Sequence, residues 1–172
     1  MDSSFIEIEP DAITENAFSL IAEDWFLLTA GTTPGKYNTM TASWGGLGQL
    51  WHRRVAFVFV RPQRYTRIFM DDNDLFTMSF FDSSYRDALK YCGSHSGRDV
   101  DKAALTGITP FEPLTGTTAF EEANLICICS KIYYQDFQPE KFLEMDIEGL
   151  YPEKGYHRMY VGAIKRVLRK TV

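Results

Sequence analysis

The chain has 172 residues, a mass of 19.7 kDa and a formal net charge of −5 at neutral pH. Its apolar fraction of 45% and charged fraction of 24% are typical of a globular protein and exclude disordered and low-complexity classes. No linker or internal repeat divides the sequence, so we expect one domain over residues 1–172. The longest apolar run, Val55 to Val60, is too short to span a bilayer, and we expect no membrane partner.

The N-terminal stretch MDSSFIEIEPD is acidic and lacks the basic and apolar regions of a signal peptide, so we expect a cytoplasmic protein. The cysteines Cys92, Cys127 and Cys129 suggest no disulfide framework; in a strand, the last two would point to the same face. The three histidines are scattered, and we expect no metal site. The pI near 5.2 and the absence of a long basic stripe argue against a nucleic-acid partner.

The charge is unevenly distributed along the chain. Between Trp25 and Met70 there is no Asp or Glu, whereas six Lys and Arg residues lie in this stretch. In an otherwise acidic protein, such a stretch is consistent with a local site for an anion. The alternative is that these side chains are solvated surface charges without a ligand.

In chain order, the first predicted element is a helix over residues 10–23 that starts near Pro10 or Asp11. A strand over residues 25–32, a turn at 33–35 and a short strand over 39–44 follow. We expect the glycines after Trp44 to end that strand and to permit close backbone approach. Residues 55–61 are apolar on both faces and predict a buried central strand that Pro62 terminates.

The second half alternates between short helices and strands. The predicted elements are a helix over 63–70, a strand over 75–80, a helix over 85–91 capped by Ser83 or Ser84, a loop over 93–97, a helix over 100–105 capped by Asp99, a strand over 125–134, a helical turn over 140–145 and a strand over 157–168. Many strands with short helices and few regular βαβ units favour a mainly β fold, a barrel with peripheral short helices.

Three segments contain candidate site residues, and the first is a polar strand. Small polar side chains over an exposed backbone suit a flat, heteroatom-rich ring such as a flavin. Alternation places Thr39, Thr41 and Ser43 on one face of the strand. An ordinary polar strand edge is the alternative. The residues of this segment are Asn38, Thr39, Met40, Thr41, Ala42, Ser43 and Trp44.

The second segment, RPQRYTR, follows the predicted central strand. If a helix begins just after Pro62, its free N–H groups meet an anion at its start. Arg61, Arg64 and Thr66, with Tyr65 between them, would add charge-assisted bonds to a phosphate. A strand–helix junction with solvated arginines is the alternative.

The third segment, GSHSGRDVDK, carries two glycines, two serines and a lysine within ten residues. Its backbone N–H groups could cradle a polyol or a phosphate, and its spacing is not that of a nucleotide P-loop. Its candidate residues are His95, Ser96, Gly97 and Lys102. A plain loop between two helices is the alternative.

In this order, NTMTASWG, VRPQRYT and the Ser-Gly-Arg-Asp-x-Asp-Lys loop resemble the flavin reductase-like, flavoredoxin-like family of FMN-binding split-barrel proteins. The late stretch HRMYVGAIKRVL is similar to the closing strand of that family. The resemblance implies a Greek-key FMN-binding split barrel, and a homodimer with the flavin near the subunit interface. It places the first segment along the isoalloxazine edge, Arg61, Arg64 and Thr66 at the phosphate, and the third segment at the ribityl-phosphate end.

Three functions are compatible with that resemblance. The first is an NAD(P)H-dependent flavin reductase, in which NADH or NADPH transfers hydride to bound flavin and no protein nucleophile is needed. The second is an FMN electron carrier reduced by a small electron-transfer protein, and the third is a non-catalytic flavin-binding module. No catalytic residue is assigned from the sequence. Trp44, Trp51 and Phe80 are the candidates for a buried dimer patch, and a satisfied structural histidine is the favoured interpretation of His157.

Overall fold

The computed structural model describes residues 4–33 and 35–171. The predicted turn at 33–35 is present at Thr33 and Gly35, whereas Pro34 lies outside the described residues, as do residues 1–3 of the N-terminal stretch. Within the described part of the chain, the strands are β1 (Phe5–Ile8), β2 (Phe26–Thr32), β3 (Lys36–Ala42), β4 (Gly45–Leu50), β5 (Arg53–Val60), β6 (Leu75–Phe80), β7 (Pro110–Phe111), β8 (Ala119–Phe120), β9 (Leu125–Asp136) and β10 (Arg158–Lys170).

Short helices connect and cover the strands. The α-helices are α1 (Ala17–Ser19), α2 (Thr66–Asp72), α3 (Arg86–Ser94), α4 (Lys102–Thr106) and α5 (Met145–Gly149). Single 3₁₀ turns lie at Pro10–Ala12, Ser83–Tyr85 and Pro139–Lys141, and a π-helical turn spans Leu20–Asp24. The predicted mainly β fold with peripheral short helices is confirmed.

One antiparallel sheet organises the molecule, with the strand order β3-β2-β6-β9-β10-β5-β4. The long strand β10 pairs with β5 through its first half, where Arg158 lies opposite Val60. Its second half pairs with β1, where Val167 lies opposite Ile8. Among the described residues, the end strands β3 and β4 do not pair with each other, although they are consecutive in the chain.

The sheet curls around one apolar core. Met40 of β3, Val58 of β5 and Met78 of β6 belong to the same buried cluster, and Leu47 of β4 packs against it. Strands from both ends of the sheet thus contribute side chains to one interior, which requires the sheet to bend. On the other face, Leu27 and Ile126 form a second cluster with side chains of α3 and α4.

The cysteines follow the alternation of their strand. Cys127 and Cys129 both point into the curled interior, as predicted for residues two apart on β9, whereas Cys92 lies in the outer cluster. All three thiols are free and buried. Burial raises the pKa of Cys127 to about 12, so this thiol stays protonated at neutral pH.

The predicted helix over residues 10–23 is wrong as a single element. The chain forms a 3₁₀ turn, becomes extended at Ile13 and then starts α1 at a new cap. The side chain of Asn16 accepts hydrogen bonds from the N–H groups of Phe18 and Ser19, and this local capping competes with a continuous helix.

The prediction that the glycines after Trp44 end a strand is also wrong. They open strand β4, which pairs with β5 over its whole length. A Cβ atom at Gly45 would lie 2.8 Å from the carbonyl oxygen of Phe57. The expected close backbone approach is therefore present, but between two paired strands.

Two predicted helix caps are displaced by a few residues. Asp82, and not Ser83 or Ser84, accepts the N–H of Ser84 at the turn that precedes α3. Asp101, and not Asp99, caps α4 by accepting the N–H of Ala104. No helix within residues 4–33 and 35–171 is long and apolar enough to cross a membrane.

Candidate functional site

The three sequence segments meet in one cleft beside β3, the start of α2 and the loop after α3. The cleft has a smaller part of about 140 Å³ and a larger part of about 280 Å³, and Met40 and Arg64 line both. All of the predicted site residues except Thr39 line this cleft, which we call the arginine cleft. Because β3 is an end strand of the sheet, its unpaired backbone edge borders the cleft and offers N–H and C=O groups.

Asn38 joins the three segments. Its side chain is buried, and its Nδ2 donates to Thr66 Oγ1 at 2.7 Å. A Cβ atom at Gly97 would lie 1.9 Å from Asn38 Oδ1, so only glycine lets the third segment approach this closely. A strand residue, a helix residue and a loop residue thereby form one packed unit at the smaller part of the cleft.

Thr39 and Thr41 lie on the outer face of β3, as the alternation predicts. The Thr39 hydroxyl shares a hydrogen bond of 2.8 Å with the Thr29 hydroxyl on β2. The Thr41 hydroxyl donates to the carbonyl of Leu89 on α3. Both side chains therefore fix β3 against its neighbours, while Met40 and Ala42 point into the core.

Arg61 and Arg64 bring positive charge into the cleft. Among residues 4–33 and 35–171, no carboxylate forms an ion pair with either of them. Arg61 Nη2 donates to the carbonyl of Leu150 at 2.9 Å, and Arg64 Nη1 donates to the carbonyl of Gly93. Burial, and then the charge of Arg61, lowers the pKa of Arg64. The arginines that do have carboxylate partners are Arg54, Arg67, Arg158, Arg166 and Arg169.

Lys102 is a buried cation at the smaller part of the cleft. Its Nζ donates to the carbonyl oxygens of Thr39 at 2.7 Å and Cys92 at 2.8 Å. Burial is the main reason that its pKa falls to about 8, with Arg64 contributing in the same direction. An ammonium group has three donors, so one N–H of Lys102 is left for a ligand after these two bonds.

Two aromatic residues of the predicted site, His95 and Tyr65, lie at the rim of the arginine cleft. The His95 ring stacks on Tyr91 with 3.8 Å between centroids, and its Nδ1 lies within hydrogen-bond distance of Ser94 Oγ. Its side chain is exposed at the rim. Tyr65 also lies at the rim, where the guanidinium of Arg98 covers its ring at 4.7 Å.

His157 lies in the cleft and was not assigned to it from the sequence. It is buried, contacts the Trp44 ring at 5.0 Å between centroids and shares a 2.8 Å hydrogen bond between its Nδ1 and the Tyr151 hydroxyl. Burial, and then the charges of Arg61 and Arg64, lowers its pKa to about 4. His157 is therefore neutral at pH 7 and acts as a hydrogen-bonding group.

Phe59, Gln63 and Ser94 also line the cleft and were missed. Gln63 lies inside the second segment and Ser94 inside the third, so their positions in the motifs were a usable signal. Phe59 carries no polar group that could have marked it. Phe80, a candidate for a dimer patch, is only 2% exposed and packs in the core, so that assignment is wrong, whereas Trp44 and Trp51 are exposed.

Several solved protein structures are similar to this chain in fold, although their sequences differ from it. No family model matches the chain, and no curated protein matches it. An FMN-binding domain of a flavin reductases-like enzyme from Shewanella baltica has a TM-score of 0.69 at 16% identity, covering 99% of this chain and 79% of that one.

Two further solved structures differ from each other in function. Flavoredoxin from Methanosarcina acetivorans has a TM-score of 0.65 at 22% identity, covering 94% of this chain and 73% of its own. The NADH:FAD oxidoreductase of Streptomyces globisporus has a TM-score of 0.62 at 13% identity, covering 86% and 81%. These likenesses show that the chain has the fold of the flavin reductase-like proteins.

Proposed function

We propose that the arginine cleft binds FMN and that the protein is an NAD(P)H-dependent flavin oxidoreductase. The observation that carries the proposal is the pair Arg61 and Arg64, two cations in a cleft beside a strand edge, neither of which has a carboxylate partner in the part of the chain that the structure describes. Burial is the main cause of the lowered pKa of His157, and the charges of Arg61 and Arg64 lower it further, so both cations act on the interior of the cleft. Such a field suits an anionic ligand.

The residues of the cleft fit the two ends of FMN. Arg64, the Thr66 hydroxyl and the remaining N–H of Lys102 line the smaller part and form a donor set for a phosphate. The β3 edge from Thr41 to Trp44 lines the larger part and would follow the flavin ring. Arg61 lines only the larger part, so we assign it to the ring and not to the phosphate.

Bound FMN would supply the acceptor for a hydride from NADH or NADPH. The chain's own residues bind and orient it: the Asn38–Thr66 bond fixes the start of α2 against β3, and the Tyr151–His157 bond fixes the imidazole beside Trp44. Because His157 is neutral, it adds a hydrogen-bonding group without adding a third positive charge to those of Arg61 and Arg64.

Reduction by a nicotinamide distinguishes this proposal from an electron carrier. We expect the absorbance of protein-bound FMN to bleach within seconds of anaerobic mixing with NADH or NADPH. The flavoredoxin-like fold supports the carrier alternative. If neither nicotinamide bleaches the flavin while dithionite or a reduced ferredoxin-like protein does, the enzyme proposal fails and the carrier stands.

We also propose a homodimer, which two exposed rings support: Trp44 lines the cleft, and Trp51 lies in the turn between β4 and β5. Trp44 is 45% exposed and Trp51 is 58% exposed, and large exposed rings are enriched at protein interfaces. Light scattering at micromolar protein should give a mass near twice 19.7 kDa. A monomer that binds FMN with full affinity would contradict the dimer while leaving the flavin proposal intact.

A further inference from the structure

An apolar groove of about 560 Å³ adjoins the arginine cleft. It lies between α1 with the π-helical turn Leu20–Asp24 and the glycine-rich start of β4. Four aromatic rings line it, those of Phe18, Trp44, Phe59 and Phe137. Pockets of about 300–1,000 Å³ lined by apolar and aromatic side chains are the usual sites of small-molecule ligands.

The groove differs from the arginine cleft in charge, although the two are continuous. Ser43, Trp44 and Phe59 line both. No Asp, Glu, Lys, Arg or His is among the residues that line the groove in the described part of the chain, and the polar side-chain groups there are the Ser43 hydroxyl and the indole N–H of Trp44. Burying a charged group in such surroundings costs free energy that nothing in the groove offsets. An uncharged occupant is therefore favoured.

The wall opposite β4 is held in a fixed, strained conformation. The π-helical turn ends at Trp25, a non-glycine residue with φ of 67°. Trp25 Nε1 donates to the carbonyl of Ala22 at 3.1 Å, and the guanidinium of Arg86 covers the Trp25 ring at 4.1 Å. Positive φ in a tryptophan and π-helical turns both persist where surrounding contacts impose them, and both are concentrated at functional sites.

We propose that this groove binds an uncharged aromatic molecule of one or two rings as a second ligand. Phe18 is 85% exposed at the mouth, so its ring is available to stack on an incoming ring. Trp44 lies between the two sites, contacting His157 in the cleft while lining the groove. The position of the ligand next to a flavin depends on the proposed function, whereas the binding of the aromatic molecule does not.

Calorimetry with 2-naphthalenemethanol tests the proposal on the full chain, with and without FMN. We expect Phe18→Ala to weaken binding about tenfold by removing one ring contact. Ala22→Trp places a large side chain at an exposed position that lines the groove, and we expect it to abolish binding. Leu105→Ala, at an exposed apolar residue of α4 that does not line the groove, is the matched control and should bind as wild type does.

The outcomes separate this proposal from the flavin proposal. Phe18→Ala and Ala22→Trp should keep their FMN affinity, and Arg64→Ala should lose FMN affinity while still binding 2-naphthalenemethanol. The carboxylate analogue 2-naphthoate should bind at least tenfold more weakly than the alcohol. Tighter binding of 2-naphthoate that disappears in Arg61→Ala would overturn the proposal in favour of an anion site. Unchanged binding in both groove variants would also overturn it.

Discussion

Replacing Arg64 with alanine should weaken FMN binding by about 10- to 150-fold, because a charge-assisted hydrogen bond contributes about 1.5–3 kcal/mol. Arg64 lines both parts of the cleft and has no carboxylate partner in the described residues, so its charge is available to a phosphate. Titration of the protein with FMN, followed by fluorescence quenching of the flavin, measures the change.

Riboflavin, which lacks the phosphate, is the internal control for this variant. The substitution also removes the bond from Arg64 to the carbonyl of Gly93, and a loss caused by a shifted loop would affect both ligands. We therefore expect riboflavin affinity to fall much less than FMN affinity. Arg53→Ala removes an exposed arginine at the far end of β5 and should change neither affinity. Equal losses for FMN and riboflavin would show that Arg64 does not contact the phosphate.

Strands with a strong apolar pattern could be predicted from the sequence, because their side chains specify the element without help from distant residues. The strand over residues 75–80 is present with those bounds, and β5 ends at Val60, just before Pro62. Strand β4 could not be predicted in the same way. Its first residues are mostly glycine and carry no pattern, and it exists because β5 supplies its hydrogen-bond partners.

The residues of the candidate site also divide into those that the local sequence marks and those that only tertiary structure brings to the site. The three segments could be found because each contains its polar, charged and glycine residues in a short stretch of the chain. In the folded protein, Asn38 joins them through its contacts with Thr66 and Gly97. His157 could not be assigned, since nothing in the local sequence connects it to residues nearly a hundred positions earlier. The pairing of Arg158 with Val60 places His157 beside the end of β5, next to Arg61. Strand register, a tertiary property, was the missing information.

We expect Gly162→Ala to destabilise the folded protein strongly. Gly162 lies on β10 opposite Ala56, and a Cβ atom there would lie 2.4 Å from Phe76 Cζ and 2.8 Å from Cys129 Cβ. Phe76 and Cys129 are buried in the curled core, so neither can move aside into solvent. Overpacking of this kind costs about 1–3 kcal/mol, and each kcal/mol lowers the melting temperature by about 2–4 °C in a chain of this size.

Thermal unfolding followed by circular dichroism measures the effect, and we expect Tm to fall by about 5–10 °C. Gly149→Ala is the matched control, because a Cβ atom there would have no heavy atom within 4 Å and Gly149 lies in α5. Alanine favours the helix over glycine, so this variant should melt at or slightly above the wild-type temperature. If both variants melted as wild type does, the core at Phe76 would have room for a methyl group, and the tight curl of the sheet at β10 would be refuted.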